Sequence, residues 1–255
     1  MLELTLDWRR DFRPDALSYS AQAAEAERGK VYVLERPCRA GRPVVFMRPA
    51  RDAFARGEDD TERLRWVVYV LEQGSRLADA DAPDGKMTWL IDFVGYSRRN
   101  AAPMGTSMRT LSILQNHYPE RLGRAVNFAP PFLFEVFFRA ISPFIDPVTR
   151  EKLVFEHPPK AAPEKAEKAG KAAAEDADEA AAAAAAAEPT GMARHFELEH
   201  LDAPLGGALP VDGMLDPAVY PRRMAALEAE RAAAVAAAAA ALAAAGGAGA
   251  GGPAE

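Results

Sequence analysis

The chain has 255 residues, is 49% apolar and carries a formal net charge of −6; about a third of it is compositionally biased, so one globular domain is expected rather than two. The acidic balance argues against general nucleic-acid binding, and the single cysteine, Cys38, rules out an internal disulfide and fits a reducing compartment. The longest strongly apolar run, 125–138, is interrupted by Asn127, two prolines and Glu135 and falls short of the ~20 residues a bilayer-spanning helix needs.

In chain order, Leu4, Trp8 and Phe12 recur every four positions and predict a helix, although Leu2, Leu4, Leu6 and Trp8 also read as strand alternation. Charges at Glu3, Asp7, Arg9 and Arg10 are unlike a secretory leader. The runs 31–35 and 43–48 flank Gly41-Arg42 as two strands joined by a turn would. Asp59 and Asp60 offer caps for a helix whose Leu64, Val67, Val68 and Leu71 form a one-sided apolar stripe. The turn Ala82-Pro83-Asp84-Gly85 leads into 87–93, too apolar for a half-wet strand and therefore a central one. A helix over 100–117, with Met108, Leu111, Leu114 and Gln115 on one face, ends before Pro119, and a strand follows at 124–129. This alternation predicts an α/β layer on a mostly parallel sheet.

Residues 132–145 read as a helix apolar on nearly every side, with Phe132, Phe134, Phe137, Phe138, Ile141 and Phe144 around the wheel. Such a helix either lies in a core or faces a lipid and a membrane, with Glu135 and Arg139 as its wet strip. Asp146-Pro147 is expected to end it. The stretch 158–190 is a Pro/Ala/Glu/Lys insert without large apolar anchors, and 228–255 is an Ala/Gly-rich tail, disordered or helical. Between them, 191–227 contains a tight turn at Pro204-Leu205-Gly206-Gly207. The glycine run near the C-terminus resembles a phosphate loop only superficially, since no strand precedes it.

Catalytic patterns are missing from the sequence: no Gly-x-Ser-x-Gly elbow, Walker loop or Cys-x-x-Cys is present. His195 and His200 with Glu197 and Glu199 lack a third spaced ligand and read as an exposed polar stretch, so no metal site is expected. His117 reads as a helix-end residue facing the negative dipole. An enzyme is therefore not expected.

The blocks Trp8-Arg9-Arg10, Gly41-Arg42-Pro43-Val44, Leu90-Ile91-Asp92-Phe93, Asn116-His117-Tyr118-Pro119-Glu120-Arg121-Leu122-Gly123, Pro143-Phe144-Ile145-Asp146-Pro147-Val148-Thr149 and Lys152 resemble the CRAL-TRIO lipid-binding domain. They are most similar to fungal and plant phosphatidylinositol transfer proteins. The resemblance covers residues 1–157, with an echo at Gly206-Gly207. It implies a parallel sheet floor with covering helices and a helical gate over a pocket for one phospholipid. The expected layout is a remnant of an N-terminal helical subdomain at 1–30, the lipid-binding core at 31–157, the insert, a closing segment at 191–227 and the tail.

By the same resemblance, Glu120, Thr149 and Lys152 hold a phosphatidylinositol headgroup. A carboxylate accepts from inositol hydroxyls, a hydroxyl donates to phosphate and an ammonium supplies a compact charge. From the residues alone, Glu120 pairing with Arg124, and Lys152 with Glu151 or a helix end, stay open. Phe132, Phe134, Phe137, Phe138, Ile141 and Phe144 are implied as acyl-chain pocket and gate.

Three departures from the family pattern stand out. The arginine that the N-terminal domain of relatives supplies has no counterpart, Met87 and Trp89 replace polar strand residues used for phosphatidylcholine, and the insert replaces the segment that normally closes the fold. The resemblance further implies no cofactor beyond the bound lipid, no nucleic-acid partner, transient contact with a membrane surface, a monomer, and a cytoplasmic, peripherally membrane-associated location. A carrier of another hydrophobe, of sterol, tocopherol or retinoid type, and a non-binding adaptor are the competing classes.

Overall fold

The computed structural model describes residues 2–54, 59–158 and 190–247, apart from the side chains of Leu133, Glu135, Leu242 and 244–247. The insert over 159–189, the last residues of the tail and the expected wet-strip role of Glu135 lie outside the described residues.

Five strands form one sheet in the order β1 (Val31–Val33), β2 (Val44–Met47), β3 (Met87–Asp92), β4 (Leu122–Phe128), β5 (Leu153–Glu156). The first pair is antiparallel and the other three are parallel, with Val45 opposite Trp89, Trp89 opposite Ala125 and Ala125 opposite Leu153. The hairpin is closed by Gly41, whose φ of 71° is left-handed and open to glycine. The β3 run is buried along nearly its whole length, as a central strand covered on both faces must be. Strand β5 has no counterpart in the sequence reading: four residues between a polar turn and a biased insert carry too little pattern to detect.

Strand alternation divides the sheet into two faces. On one, Met47, Met87, Trp89, Ile91, Ala125 and Leu153 look toward a cavity. Helices α3 (Thr61–Asp81) and α4 (Met104–His117) border it. Gly74 brings α3 so close that an added Cβ would stand 2.6 Å from Met87 Sδ. The α3 stripe is wider than expected: Trp66, Tyr69, Val70, Glu72 and Gln73 are buried with the predicted Leu64, Val67, Val68 and Leu71. A helix clasped between the sheet, the N-terminal segment and the C-terminal helix has little solvent face left. Asp60 does not cap α3; its carboxylate binds Thr106 and Arg109 on α4, while Asp59 accepts from Thr61 N at 3.0 Å.

The opposite face is closed by the C-terminal segment. Met192, Phe196, Leu201, Leu205, Tyr220 and Met224 join the core. Arg48 ties the segment to the sheet, donating from Nε to Asp92 at 2.8 Å and from Nη2 to buried Asp202 at 3.0 Å, with Asp212 as a third partner. Asp202 also accepts from Asp212 N and Met214 N. At Gly207 a Cβ would meet Leu201 O at 2.0 Å, so only glycine fits this turn.

Helix α1 (Leu2–Phe12) settles the first ambiguity in favour of a helix. Its Trp8 stacks on His117 at 4.1 Å, and Arg9 forms a two-pronged ion pair with Glu72 at 2.9 and 3.1 Å. A short helix α2 (Ala23–Ala26) leads to β1. Helix α5 (Phe132–Ile141) is shorter than expected, because Pro143 turns residues 142–144 into a tighter helical turn. Asp146 does not end that helix but begins another: α6 (Pro147–Glu151) has Asp146 as N-cap, accepting from Val148 N and Thr149 N, and proline at its first position. Helix α7 (Tyr220–Gly247) is anchored by Tyr220, Met224 and Glu228, the last accepting from Tyr69 Oη at 2.7 Å. Beyond Arg231 its alanines are exposed through residue 241, and high intrinsic propensity alone keeps them helical. Among the described residues no helix is long and apolar enough to cross a membrane.

Candidate functional site

A cavity of about 880 Å³ lies between the sheet and α4. Its floor is apolar, formed by Met47, Met87, Trp89, Ile91, Ala125 and Leu153, and Leu111, Leu114 and Leu71 continue the same surface up the walls. Polar and charged groups gather at one end, where the loop 118–121 meets the segment 143–152. The result is a greasy interior with a charged mouth, the layout of a site for an amphiphile.

Glu120, Thr149 and Lys152 all line that mouth. Glu120 sits at φ 57°, a left-handed conformation costly for a non-glycine residue and found where function constrains the backbone. Its carboxylate pairs with neither Arg124 nor another i+4 partner. One oxygen, Oε2, lies 3.6 Å from Lys152 Nζ and 3.9 Å from Lys86 Nζ. Lys152 therefore pairs across the mouth rather than with Glu151, and Arg124 turns to His195 at 3.3 Å.

The Thr149 hydroxyl donates to Asp146 within the α6 cap. That bond holds the Asp146 carboxyl below its ordinary value, with the Val148 and Thr149 amides adding to the effect. Thr149 thus presents oxygen lone pairs to the cavity, and donation to a phosphate requires its proton to leave Asp146. Lys86 was not singled out in the sequence, and Gln115 and Arg150 were not named there as site residues. Gln115 Nε2 donates to Phe144 O at 2.9 Å, fastening α4 to the strap 142–145 that forms the front of the cavity.

The aromatic residues divide. Phe144 lines the cavity. Phe134 packs on Phe93 at 4.3 Å, and Phe138 on Phe155 at 5.8 Å, with Phe137 beside Phe134 at 6.3 Å, in a cluster outside the cavity wall. Phe132 is 73% exposed, and Ile141 is half-buried away from the lining. Of the six, only Phe144 is brought to the cavity.

The two histidine readings are met in part: His117 does stand in the last turn of α4. His195 is buried, its Nε2 donating to Glu156 on β5 at 3.0 Å, whereas Glu197 and Glu199 are exposed as expected; His200 is half-buried and pairs with Glu199 at 3.5 Å. The His117 ring is stacked on Trp8, and burial, reinforced by nearby Arg9, pushes its imidazole below its ordinary value, which disfavours the cationic form a helix-dipole role needs. Among the described residues no group of three His, Cys, Asp or Glu side chains could hold a metal.

Residues 26–168 match the family model described as the CRAL/TRIO domain. A CRAL-TRIO domain-containing protein of Schizosaccharomyces pombe is 38% identical over 156 residues, covering 60% of this chain and 15% of that protein. The phosphatidylinositol transfer protein PDR17 of Saccharomyces cerevisiae is 31% identical over 171 residues, 62% of this chain and 47% of its own length. The chain thus spans less than half of either relative. The solved structure of Sfh5 superposes with a TM-score of 0.50 at 20% identity, covering 60% of this chain and 58% of that one, and shares the fold. With a sheet, a cavity and a family match extending over more than half its length, the chain belongs to the CRAL-TRIO domain family.

Proposed function

We propose that this domain holds one phospholipid, phosphatidylinositol by preference, with acyl chains over the apolar sheet floor and headgroup at the Glu120–Lys152 mouth, and exchanges it at a membrane surface as a single chain. The observation that carries the reading is the polarity of the cavity: an apolar floor ending in Glu120, Thr149, Arg150 and Lys152. Similarity to a phosphatidylinositol transfer protein supports it. Burying one acyl chain of about sixteen carbons at ~0.8 kcal/mol per methylene is worth on the order of 10 kcal/mol, so release into water is slow and exchange requires contact with a bilayer.

The mouth suits that contact. Phe144, which lines the cavity, and its neighbour in sequence Val148 expose apolar side chains there, and Phe132 and Val136 expose theirs along α5. Residues 98–152 carry eight basic and four acidic side chains, a local +4 in a chain of net −6, which favours anionic lipid on a cytoplasmic leaflet. The strap 142–145 and α5 serve as the gate, opening when the Gln115–Phe144 bond breaks.

The apolar Met87 and Trp89 in the floor favour a second reading, a carrier of a sterol-, tocopherol- or retinoid-type hydrophobe. Vesicle-to-vesicle transfer separates the two. Phosphatidylinositol moves and Lys152→Ala slows it severalfold on the first reading; on the second, replacing Glu120, Thr149 and Lys152 together leaves ligand binding intact.

A further inference from the structure

We propose that Lys86 is a second phosphate-binding ammonium of the headgroup site, and that the Lys86–Lys152 pair selects phospholipids with an anionic headgroup over zwitterionic ones. This rests on the phospholipid reading above and names the determinant of its selectivity.

The argument begins with strand order. β3, β4 and β5 are consecutive neighbours and all parallel, so the residues leading into them emerge in a row along one edge of the sheet. Lys86 immediately precedes β3, Glu120 lies just ahead of β4 and Lys152 immediately precedes β5. Adjacent strands are about 4.8 Å apart, so a group above the start of β4 is within reach of lysines from both sides. Glu120 Oε2 occupies that position, 3.9 Å from one ammonium and 3.6 Å from the other.

The exposures run opposite to those of a simple surface ion pair. The carboxylate is 77% exposed, whereas the Lys86 and Lys152 side chains are 30% and 17% exposed. The cations are held against the protein and the anion lies outward, where it can swing away. When Glu120 turns to accept hydrogen bonds from headgroup hydroxyls, two ammonium groups remain aimed at one point. A phosphate oxygen entering there takes the place the carboxylate oxygen had, as two compact charges with rotatable donors allow. A zwitterionic headgroup would bring its own ammonium beside Lys152 and Arg150, which line the cavity, and Lys86, which reaches the same carboxylate oxygen, and like charges so crowded repel.

The test uses the full chain, equilibrated with vesicles of equal phosphatidylinositol and phosphatidylcholine, re-isolated, and its bound lipids quantified by mass spectrometry. The wild type should be enriched in phosphatidylinositol. Lys86→Gln should lower the bound ratio about fivefold, the effect of one near-surface lysine, and Lys86→Glu further. Lys86→Arg should keep it within about twofold, and melting temperatures should stay level, because an exposed ion pair contributes little to stability. An unchanged ratio in both Lys86→Gln and Lys86→Glu overturns the proposal and leaves the phospholipid reading standing. A wild type that recovers no phospholipid overturns both. A parallel titration with glycerophosphoinositol, which has the headgroup without acyl chains, separates a lipid site from a soluble-phosphate site; binding as tight as the lipid's would overturn the assignment.

Discussion

Glu120 and Lys152 are paired at 3.6 Å across the mouth of the cavity, the carboxylate outward and the ammonium held beneath it. An ion pair so exposed adds at most about 1 kcal/mol to stability. Lys152→Ala and Glu120→Gln are therefore expected to leave the urea midpoint nearly unchanged while slowing phosphatidylinositol transfer severalfold. Denaturation and transfer measured on the same preparations check both halves.

The Gln115–Phe144 hydrogen bond is a side-chain latch on the front strap. Its loss removes about 0.5–1 kcal/mol from the closed state, so Gln115→Ala should speed lipid exchange two- to fivefold if opening limits the rate. Stopped-flow transfer of a fluorescent phospholipid reads this directly.

Arg48 faces two buried carboxylates, Asp92 and Asp202. Removing the guanidinium leaves both uncompensated, and Arg48→Met should cost about 3–5 kcal/mol in chemical denaturation. Protease sensitivity in the 190–220 stretch should rise, because that segment is what the network anchors.

Stability should fall on the acid side in two stages. Burial against Trp8, and then Arg9, pushes His117 below its ordinary 6.5. A lowered folded value means stability is complete above pH 6.5 and is lost as pH falls through the folded pKa. At Glu72 burial pushes the carboxyl up, but Arg9 and Tyr118 outweigh it and hold the group below its ordinary 4.5, so its contribution is lost below pH 4.5. His117→Phe, which preserves stacking, should flatten the first stage and leave the second. Thermal melts between pH 7 and 3 resolve them.

Phe132 at the start of α5 and Val148 in α6 are both exposed. Phe132→Ser with Val148→Ser should change stability by only about 0.5 kcal/mol, as surface substitutions do. Co-sedimentation with anionic vesicles should drop markedly.

Much of this fold is legible in the sequence because its strands are central. The 87–93 run is apolar throughout for a physical reason, since both faces are covered, and Pro119 marks the end of α4 by chemistry alone. The short elements were harder. Asp146-Pro147-Val148-Thr149 is a capping signal that reads equally as a helix stop, and only the following turn decides. At the site, Glu120, Thr149 and Lys152 were named only through the family resemblance, whereas their partners in the structure depend on strand order. Lys86 carries no local signal; it becomes a neighbour of Glu120 only once β3 and β4 are known to be adjacent and parallel. The aromatic segment misled in part, because a helix apolar all round does not say which ring faces the cavity, and Phe134 and Phe138 turned to Phe93 and Phe155 instead.

The most direct measurement is mass spectrometry of the organic extract from the purified protein after exposure to a mixed membrane lipid pool. One phospholipid per chain, predominantly phosphatidylinositol, is the predicted result. Recovery of no lipid, or of a sterol, tocopherol or retinoid in its place, would contradict it.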